Sequence, residues 1–228
     1  MKAVVMIPYW AGYAFPKESM TRRDTVSVGG RSLMDHTVQI ANGIPNIDDV
    51  IIYASNDDVL KQLRDASLCK FFRRPSDLDD QGVSIEDIIG SFLSITDADV
   101  IILMHPKSPF LRPKSIAECM DKVVNEGFDS AFVATSPNKL AWFRGQPLNY
   151  SLAKNEDTPS MSSIDPVILE SSSVYVFTRA LFESSRRRIG SDPFIKIVGH
   201  FEGFEIDQED DHRVADLIMN AGLESYGE

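Results

Sequence analysis

The sequence predicts an α/β fold in which a mostly parallel β-sheet is flanked by helices on both faces. Continuous apolar segments rich in β-branched residues alternate along the chain with segments of helical character, a pattern typical of parallel sheets. The apolar segments lack in–out alternation, which indicates strands buried on both faces. With 228 residues, 43% of them apolar, the chain is long enough to bury a sizeable core. We expect one domain over residues 1–228.

Seven strands account for the apolar segments. Residues 100–104 are the most apolar of them, and the last strand, residues 195–206, leads into an alternation of acidic and apolar residues. The predicted strands cover residues 3–7, 50–54, 70–73, 100–104, 130–134, 168–177 and 195–206.

Helices are predicted between these strands from their start and stop signals. Ser32 begins one helix and Gly43 stops it, and Pro113 begins another at a first-turn position where proline is tolerated. The predicted helices cover residues 32–42, 57–63, 84–93, 113–124, 179–187 and 212–221.

Residues 136–165 break the alternation. They are rich in Pro, Asn, Ser and Lys, yet they also carry Trp142, Phe143 and Tyr150. Because a linker between domains rarely carries such large aromatic residues, we expect an arm or hairpin that leaves the domain and returns to it.

Charge and composition exclude several functional classes. A net charge of −11 argues against general nucleic-acid binding, because no basic stripe could neutralise a run of phosphates. A single nucleotide could still bind where a few cations gather. Cys69 and Cys119 fit no metal-ligand spacing and are expected to be small buried hydrophobes. Without a signal-peptide pattern or an apolar run of membrane-spanning length, the chain is expected to be a cytoplasmic protein with no membrane partner.

Glu205 and Asp207 form a candidate metal site. On a strand, residues two apart point to the same side, so both carboxylates can face one point. Such a pair suits Mg²⁺, which takes one or two protein oxygens and completes its shell with substrate phosphates and water. The alternative is an acidic helix N-terminus, for which residues 208–211 also qualify. The local sequence favours neither interpretation over the other.

The long segment after the first strand is a candidate phosphate site. In open α/β sheets, ligands bind beyond the carboxyl ends of the strands, and a long loop in a compact domain is usually functional. Glycine backbones and cationic side chains suit phosphate oxygens, whereas the alternative is a solvated surface loop. Neither a Walker motif nor GxGxxG is present. The candidate nucleotide-binding residues here are Gly12, Lys17, Arg22, Arg23 and Asp24.

Two further polar segments follow predicted strands. Arg74, next to Arg73, could hold a base edge or a phosphate, although salt bridges to nearby aspartates explain it equally well. His105 and Lys107 lie in a proline-stiffened turn after the fourth strand, where cationic and polar side chains are hard to explain by packing.

Seven short segments, which follow one another in the same order as in the family, resemble the acylneuraminate cytidylyltransferase family, the synthetases of CMP-linked acidic sugars. For example, His105-Pro106-Lys107-Ser108-Pro109-Phe110-Leu111-Arg112 is similar to the family pattern QPTSPLR, and Glu205-Ile206-Asp207 is similar to its DID. The other matching segments are Ile7-Pro8, residues 29–33, residues 50–56, Arg74-Pro75 with Leu78, and residues 171–177.

The resemblance implies a Rossmann-like, GT-A-like nucleotidyltransferase fold and transfer of CMP from CTP to a 2-keto sugar acid such as a nonulosonate, for surface glycan synthesis. It implies Mg²⁺ on Glu205 and Asp207, and catalytic roles for Arg23 and Asp207. It also implies a homodimer, with residues 136–165 as the dimerisation arm. The cytosine and ribose contacts would come from Arg74, Ser84 and His105.

The chain also departs from the family pattern. Trp10 stands where the family has Arg, Tyr13-Ala14 where it has Ser-Lys, and Lys107 where it has Thr. These differences leave two alternatives open: a homologue that binds nucleotide without turnover, or a nucleotidyltransferase for another sugar.

Overall fold

The computed structural model describes residues 1–10, 26–80, 82–153, 160, 164–208 and 210–225. The strands are β1 (Ala3–Tyr9), β2 (Ser27–Val28), β3 (Arg31–Ser32), β4 (Asp49–Ala54), β5 (Lys70–Arg73), β6 (Val100–Met104), β7 (Ser130–Thr135), β8 (Trp142–Phe143), β9 (Gln146–Pro147), β10 (Leu169–Thr178) and β11 (Pro193–Ile197). The α-helices are α1 (Leu33–Asn42), α2 (Ile85–Leu93), α3 (Pro113–Asn125), α4 (Arg179–Ser185) and α5 (Asp211–Asn220).

The main sheet has the strand order β11–β7–β10–β6–β1–β4–β5. Every neighbouring pair is parallel except those made by β10, which runs antiparallel to both β6 and β7. Because of this reversal, the first residues of β10 lie at the edge where the other six strands end. The predicted mostly parallel sheet is therefore confirmed.

Side-chain caps begin the helices where the sequence indicated. The hydroxyl of Ser32 accepts from the amide of Asp35 at the start of α1, and Ser84 forms a reciprocal capping box with Asp87 at the start of α2. Pro113 occupies the first turn of α3. The helix predicted over residues 57–63 is instead a 3₁₀-helix, Asp57–Gln62.

Two apolar layers cover the two faces of the sheet, as predicted. One layer buries Met34 and Val38 of α1 and Ile116 of α3 against the sheet. The other buries Phe92 of α2 and Phe182 of α4. A third, smaller cluster joins α5 to the chain around β2 and to the turn after β6, and Ile206 lies within it.

The strand predicted over residues 195–206 is wrong in extent. β11 ends at Ile197, and the amide of Val198 makes a last hydrogen bond of 2.9 Å to the carbonyl of Ala134. In the sheet, Ile197 pairs with Ala134 of β7, and β7 itself ends at the next residue, Thr135. A longer β11 would therefore have no strand to pair with. Glu205 and Asp207 therefore do not lie at a strand end, but on an irregular segment that returns to the sheet.

Residues 136–165 leave the sheet between β7 and β10, and their described part contains the β8–β9 hairpin. Its turn places Arg144 and Gly145 at φ values of 51° and 78°, a conformation that glycine adopts without strain. Trp142 and Phe143 on this hairpin are 57% and 61% exposed. Pairing of the hairpin with a second copy of the chain stays a prediction.

Two further expectations concern burial. Cys119 is fully buried, and burial raises the pKa of its thiol to about 12, which fits a small hydrophobe. Cys69 is half-buried.

Within the described ranges, no helix has both the length and the apolar character needed to cross a membrane.

His36 gives the fold a measurable pH dependence. The ring is buried in α1, with Nε2 2.8 Å from the carbonyl oxygen of Val28. Burial lowers the pKa of His36, and the hydrogen bond to Val28 only partly opposes this. The neutral His36 ring therefore contributes its full stabilisation of the folded state at pH values above the ordinary histidine pKa. This contribution is lost as the pH falls through the lowered pKa that His36 has in the folded state.

We expect the free energy of unfolding to fall more steeply between pH 7.5 and 5.5 in the wild type than in His36→Gln. The glutamine amide can still donate to Val28 but does not titrate. Urea unfolding of both proteins at several pH values measures the difference, and parallel curves would contradict it.

Candidate functional site

Six polar residues converge at the edge where the parallel strands end. Lys107 and Ser108 follow β6, Ser171 and Ser173 belong to the reversed strand β10, and Glu205 and Asp207 lie on the segment before α5. We call these six residues the carboxyl-edge cluster. In an open α/β sheet, this edge is where ligands bind.

Backbone hydrogen bonds hold the three parts of the cluster together. The amide of His105 donates to the carbonyl of Ser173 at 2.8 Å, and the amide of Ile206 donates to the carbonyl of Lys107 at 2.9 Å. The Ile206 side chain is buried in the third apolar cluster. Glu205 and Asp207, on either side of Ile206, both direct their carboxylates to Lys107, outside that apolar cluster.

The two carboxylates share one cation, the ammonium of Lys107. Lys107 Nζ lies 2.6 Å from Asp207 Oδ1 and 3.4 Å from Glu205 Oε2. The side chains of Lys107 and Glu205 are only 18% and 17% exposed, whereas that of Asp207 is 56% exposed. Both acids therefore face the same ammonium, on irregular backbone and not at a strand end, and a metal ion at this point stays a prediction.

Buried hydroxyl groups fix the position of Glu205. Its Oε1 atom accepts from the hydroxyl of Ser171 at 2.7 Å and also from that of Ser173, which in turn contacts the hydroxyl of Ser108. All three serines are buried. This role was not predicted from the sequence, although the spacing of Ser171 and Ser173 places them on one face of a strand.

Asp211 plays a structural part beside this cluster. One of its carboxylate oxygens accepts from the amide of Asp207 at 2.8 Å and from that of Gln208 at 2.6 Å. Asp211 is also the acidic residue in the first turn of α5. Asp211 therefore belongs to the helix start, as one interpretation of the acidic run predicted. Glu205 and Asp207 precede the helix, and their role as metal ligands stays a prediction.

Arg74 lies at the same edge of the sheet, after β5, and is almost completely buried. Its Nη2 donates to the carbonyl of Tyr9 at 3.0 Å and pairs with Asp79, and its guanidinium lies 4.7 Å from the ring centroid of Trp10. Within the described part of the chain, Nε and Nη1 make no hydrogen bond. The predicted aspartate pairing is thus present, but it leaves two donors unused.

Ser84, a sequence candidate, begins α2, whereas Arg112 contacts the chain after α5. The hydroxyl of Ser84 accepts from the amide of Asp87 at 3.1 Å and donates to its carboxylate at 2.7 Å, so its role toward a nucleotide stays a prediction. Arg112, which precedes α3, donates to the carbonyl of Glu224 at 3.0 Å and orders the chain after α5.

The remaining predicted residues belong mostly to the segment before β2. His105 is half-buried beside Lys107, and its role toward the nucleotide also stays a prediction. Five candidates lie outside the described residues: Gly12, Lys17, Arg22, Arg23 and Asp24.

A pocket of about 390 Å³ opens beside Glu205. Thr135 and Ser136 line it from the end of β7, and Lys139 and His200 add an ammonium group and an imidazole ring. A larger cavity of about 720 Å³ borders Ala3 and Val100, at the amino ends of β1 and β6. Because ligands in this architecture bind at the carboxyl edge, the smaller pocket is the better candidate.

The carboxyl-edge cluster fits a hard divalent cation that shares its ligands with a substrate. Glu205 and Asp207 supply carboxylate oxygens that already face one positive charge. Among the residues that the structure describes, no group of three or more His, Cys, Asp or Glu could hold a metal ion. Two protein carboxylates are nevertheless enough for Mg²⁺, which completes its shell with phosphate oxygens and water.

Comparison with known proteins points to nucleotide transfer. Residues 25–177 match the model of a family described as cytidylyltransferase. The N-acylneuraminate cytidylyltransferase of Oncorhynchus mykiss is 24% identical over an alignment of 165 residues that covers 68% of this chain and 37% of that protein. The chain thus spans little more than a third of the length of this relative.

Solved structures share the fold at low sequence identity. A CMP:2-keto-3-deoxy-manno-octonic acid synthetase complexed with CTP superposes with a TM-score of 0.58 at 14% identity, over 97% of this chain and 87% of the other. A 4-diphosphocytidyl-2C-methyl-D-erythritol synthase from Anaerococcus prevotii gives 0.60 at 14% identity, over 96% of each chain. At this level of identity the likeness concerns the fold alone.

Proposed function

The chain belongs to the cytidylyltransferase family, and on that premise we propose that it transfers CMP from CTP to an acidic 2-keto sugar and releases pyrophosphate. The observation that carries the proposal is the carboxyl-edge cluster, where Glu205 and Asp207 face one cation. Phosphoryl transfer depends mainly on positioning and charge neutralisation, and this cluster supplies both.

The reaction forms a bond from the anomeric oxygen of the sugar to the α-phosphorus of CTP. The bond from that phosphorus to the bridging oxygen of the β-phosphate breaks, pyrophosphate leaves, and the hydroxyl proton passes to solvent. Asp207, more exposed than Glu205, lies on the open side of the cluster, where the α-phosphate and the attacking hydroxyl would meet. Lys107 contributes positive charge next to the phosphates.

Glu205 and Asp207 would hold Mg²⁺. When bound, that ion would neutralise charge on the α-phosphate and orient the attacking hydroxyl. The serine hydroxyls on Glu205 keep its carboxylate in one orientation, which is how hydrogen-bonded ligands tune metal sites generally.

Other residues supply the remaining binding groups of the proposed enzyme. Arg23 would act on the departing phosphates. Arg74, whose Nε and Nη1 make no hydrogen bond among the described residues, would bind the cytosine or the ribose. The acceptor would lie in the pocket beside Glu205, where Lys139 and His200 could pair with its carboxylate. The enzyme would work in the cytoplasm, as a homodimer joined through the β8–β9 hairpin.

A substrate panel tests the proposal. We expect pyrophosphate release from CTP with Mg²⁺ and at least one 2-keto sugar acid, and little or none with UTP, ATP or dTTP. An acceptor in which the carboxylate is reduced to an alcohol should react at least tenfold more slowly, because it loses a charge-assisted contact.

Two outcomes would contradict the proposed reaction in different ways. A stabilising thermal shift with CTP but no turnover with any acceptor would favour a nucleotide-binding homologue. Turnover with a phosphorylated or neutral acceptor instead of an acid would keep the cytidylyl transfer and overturn the acceptor class.

A further inference from the structure

Lys107 occupies the position in the carboxyl-edge cluster that a metal ion would need. Its ammonium lies within 3.4 Å of an oxygen from each carboxylate. Mg²⁺ binds carboxylate oxygens at about 2.0–2.1 Å, so an ion shared by the same two oxygens would lie between them, in the space that Nζ now occupies. Two cations cannot occupy that space together, because like charges at such distances repel strongly.

A backbone hydrogen bond places Lys107 next to Glu205 and Asp207, so their ion pairs are not chance surface contacts. The carbonyl of Lys107 accepts from the amide of Ile206, the residue between the two acids. That bond sets the lysine and the carboxylates side by side, and burial of Ile206 keeps them in register. With its side chain only 18% exposed, Lys107 is also held more tightly than an ordinary surface lysine.

The serine hydroxyl contacts leave one oxygen of Glu205, Oε2, to face a cation. Because Ser171 and Ser173 both donate to Oε1, the Oε2 atom is the one presented to a cation. Lys107 faces that same Oε2 atom. A metal ion can therefore use Glu205 most directly through the oxygen that Lys107 now contacts.

We propose that Lys107 is a built-in counter-cation that competes with the divalent metal for Glu205 and Asp207 and leaves them when metal and triphosphate arrive together. This inference rests on the proposed function for the identity of the metal site. The four-carbon lysine stem lets the ammonium rotate away from the carboxylates, and phosphate oxygens would give it a new partner. Metal and nucleotide would then strengthen each other's binding.

The competition predicts that removing the ammonium tightens metal binding. In Lys107→Met the two carboxylates lose their counter-charge but keep a side chain of similar length. We expect the dissociation constant for Mn²⁺, measured without nucleotide by the electron paramagnetic resonance of the unbound ion, to fall at least tenfold. The gain should disappear in Lys107→Met/Asp207→Asn, which assigns it to this site.

Lys196→Met is the matched control. Lys196 is also ion-paired, 2.6 Å from Glu118, and its side chain is 24% exposed, but it lies on β11 and outside the cluster. Its Mn²⁺ affinity should equal that of the wild type. Equal affinity in Lys107→Met and wild type would overturn the proposal, as would tightening in both lysine variants or the absence of Mn²⁺ binding in Lys107→Met. Because no CTP is present, these outcomes are read independently of whether the substrate panel reveals turnover.

Discussion

Asp207→Asn is expected to lower kcat/KM for pyrophosphate release about 1,000-fold, the order of rate lost when roughly 4 kcal/mol of metal-centred stabilisation is removed. The amide keeps the shape of the side chain but not its charge. It would weaken both the metal site and the contact with Lys107 at 2.6 Å. Initial rates of the variant and the wild type, measured over a range of acceptor concentrations at the same fixed CTP and Mg²⁺ concentrations, give kcat/KM and test the effect.

The fold should tolerate this change. The Asp207 side chain is 56% exposed, so the free energy of unfolding is expected to stay within about 0.5 kcal/mol of the wild type. Asp210→Asn is a suitable control, because Asp210 is 84% exposed on the same acidic run and pairs only loosely with Arg213, at 3.6 Å. If Asp207→Asn retained wild-type activity, or if Asp210→Asn lost as much, Asp207 would not be the catalytic carboxylate.

The double variant Ser171→Ala/Ser173→Ala is expected to lower kcat/KM about 10- to 100-fold, the usual cost of removing groups that orient a metal ligand. Without these hydroxyls, Oε1 of Glu205 would lose both of its side-chain donors, and the carboxylate could rotate. The Mg²⁺ concentration for half-maximal activity should therefore rise, and a titration of the rate with Mg²⁺ measures it.

Ser172→Ala is the control for the serine pair. Ser172 lies between the two on β10, but its side chain is exposed on the opposite face of the strand, so the variant should behave like the wild type. The double variant should lose a few kcal/mol of unfolding free energy at most. A drop in rate that is equal at every Mg²⁺ concentration would mean that the serines support the fold and not the metal site.

Part of the site could be predicted from local sequence. The pairing of Glu205 and Asp207 was expected from their spacing of two residues on a strand. Both carboxylates do contact Lys107, although β11 already ends at Ile197. Helix starts at Ser32, Ser84 and Pro113 were equally accessible, since capping depends on neighbouring residues alone.

Other parts of the site depend on contacts between distant segments. Lys107 and Asp207 are 100 residues apart, and no local pattern indicates that the lysine pairs with the acids more readily than with a ligand. The serine contacts to Glu205 likewise depend on the direction of β10. Because an antiparallel strand and a parallel one can have the same apolar sequence, that direction is decided by the connections and the register within the sheet.

Local sequence patterns were enough to predict an α/β domain with helices on both faces, because hydrophobic periodicity and helix caps are local properties. Its similarity to the cytidylyltransferases was also readable from short segments in order. The end of β11, the direction of β10 and the position of Lys107 between the two carboxylates became visible only in the folded chain. These features depend on strand pairing and side-chain burial between segments that are far apart in the chain. The sequence of any one segment is therefore not enough to predict them.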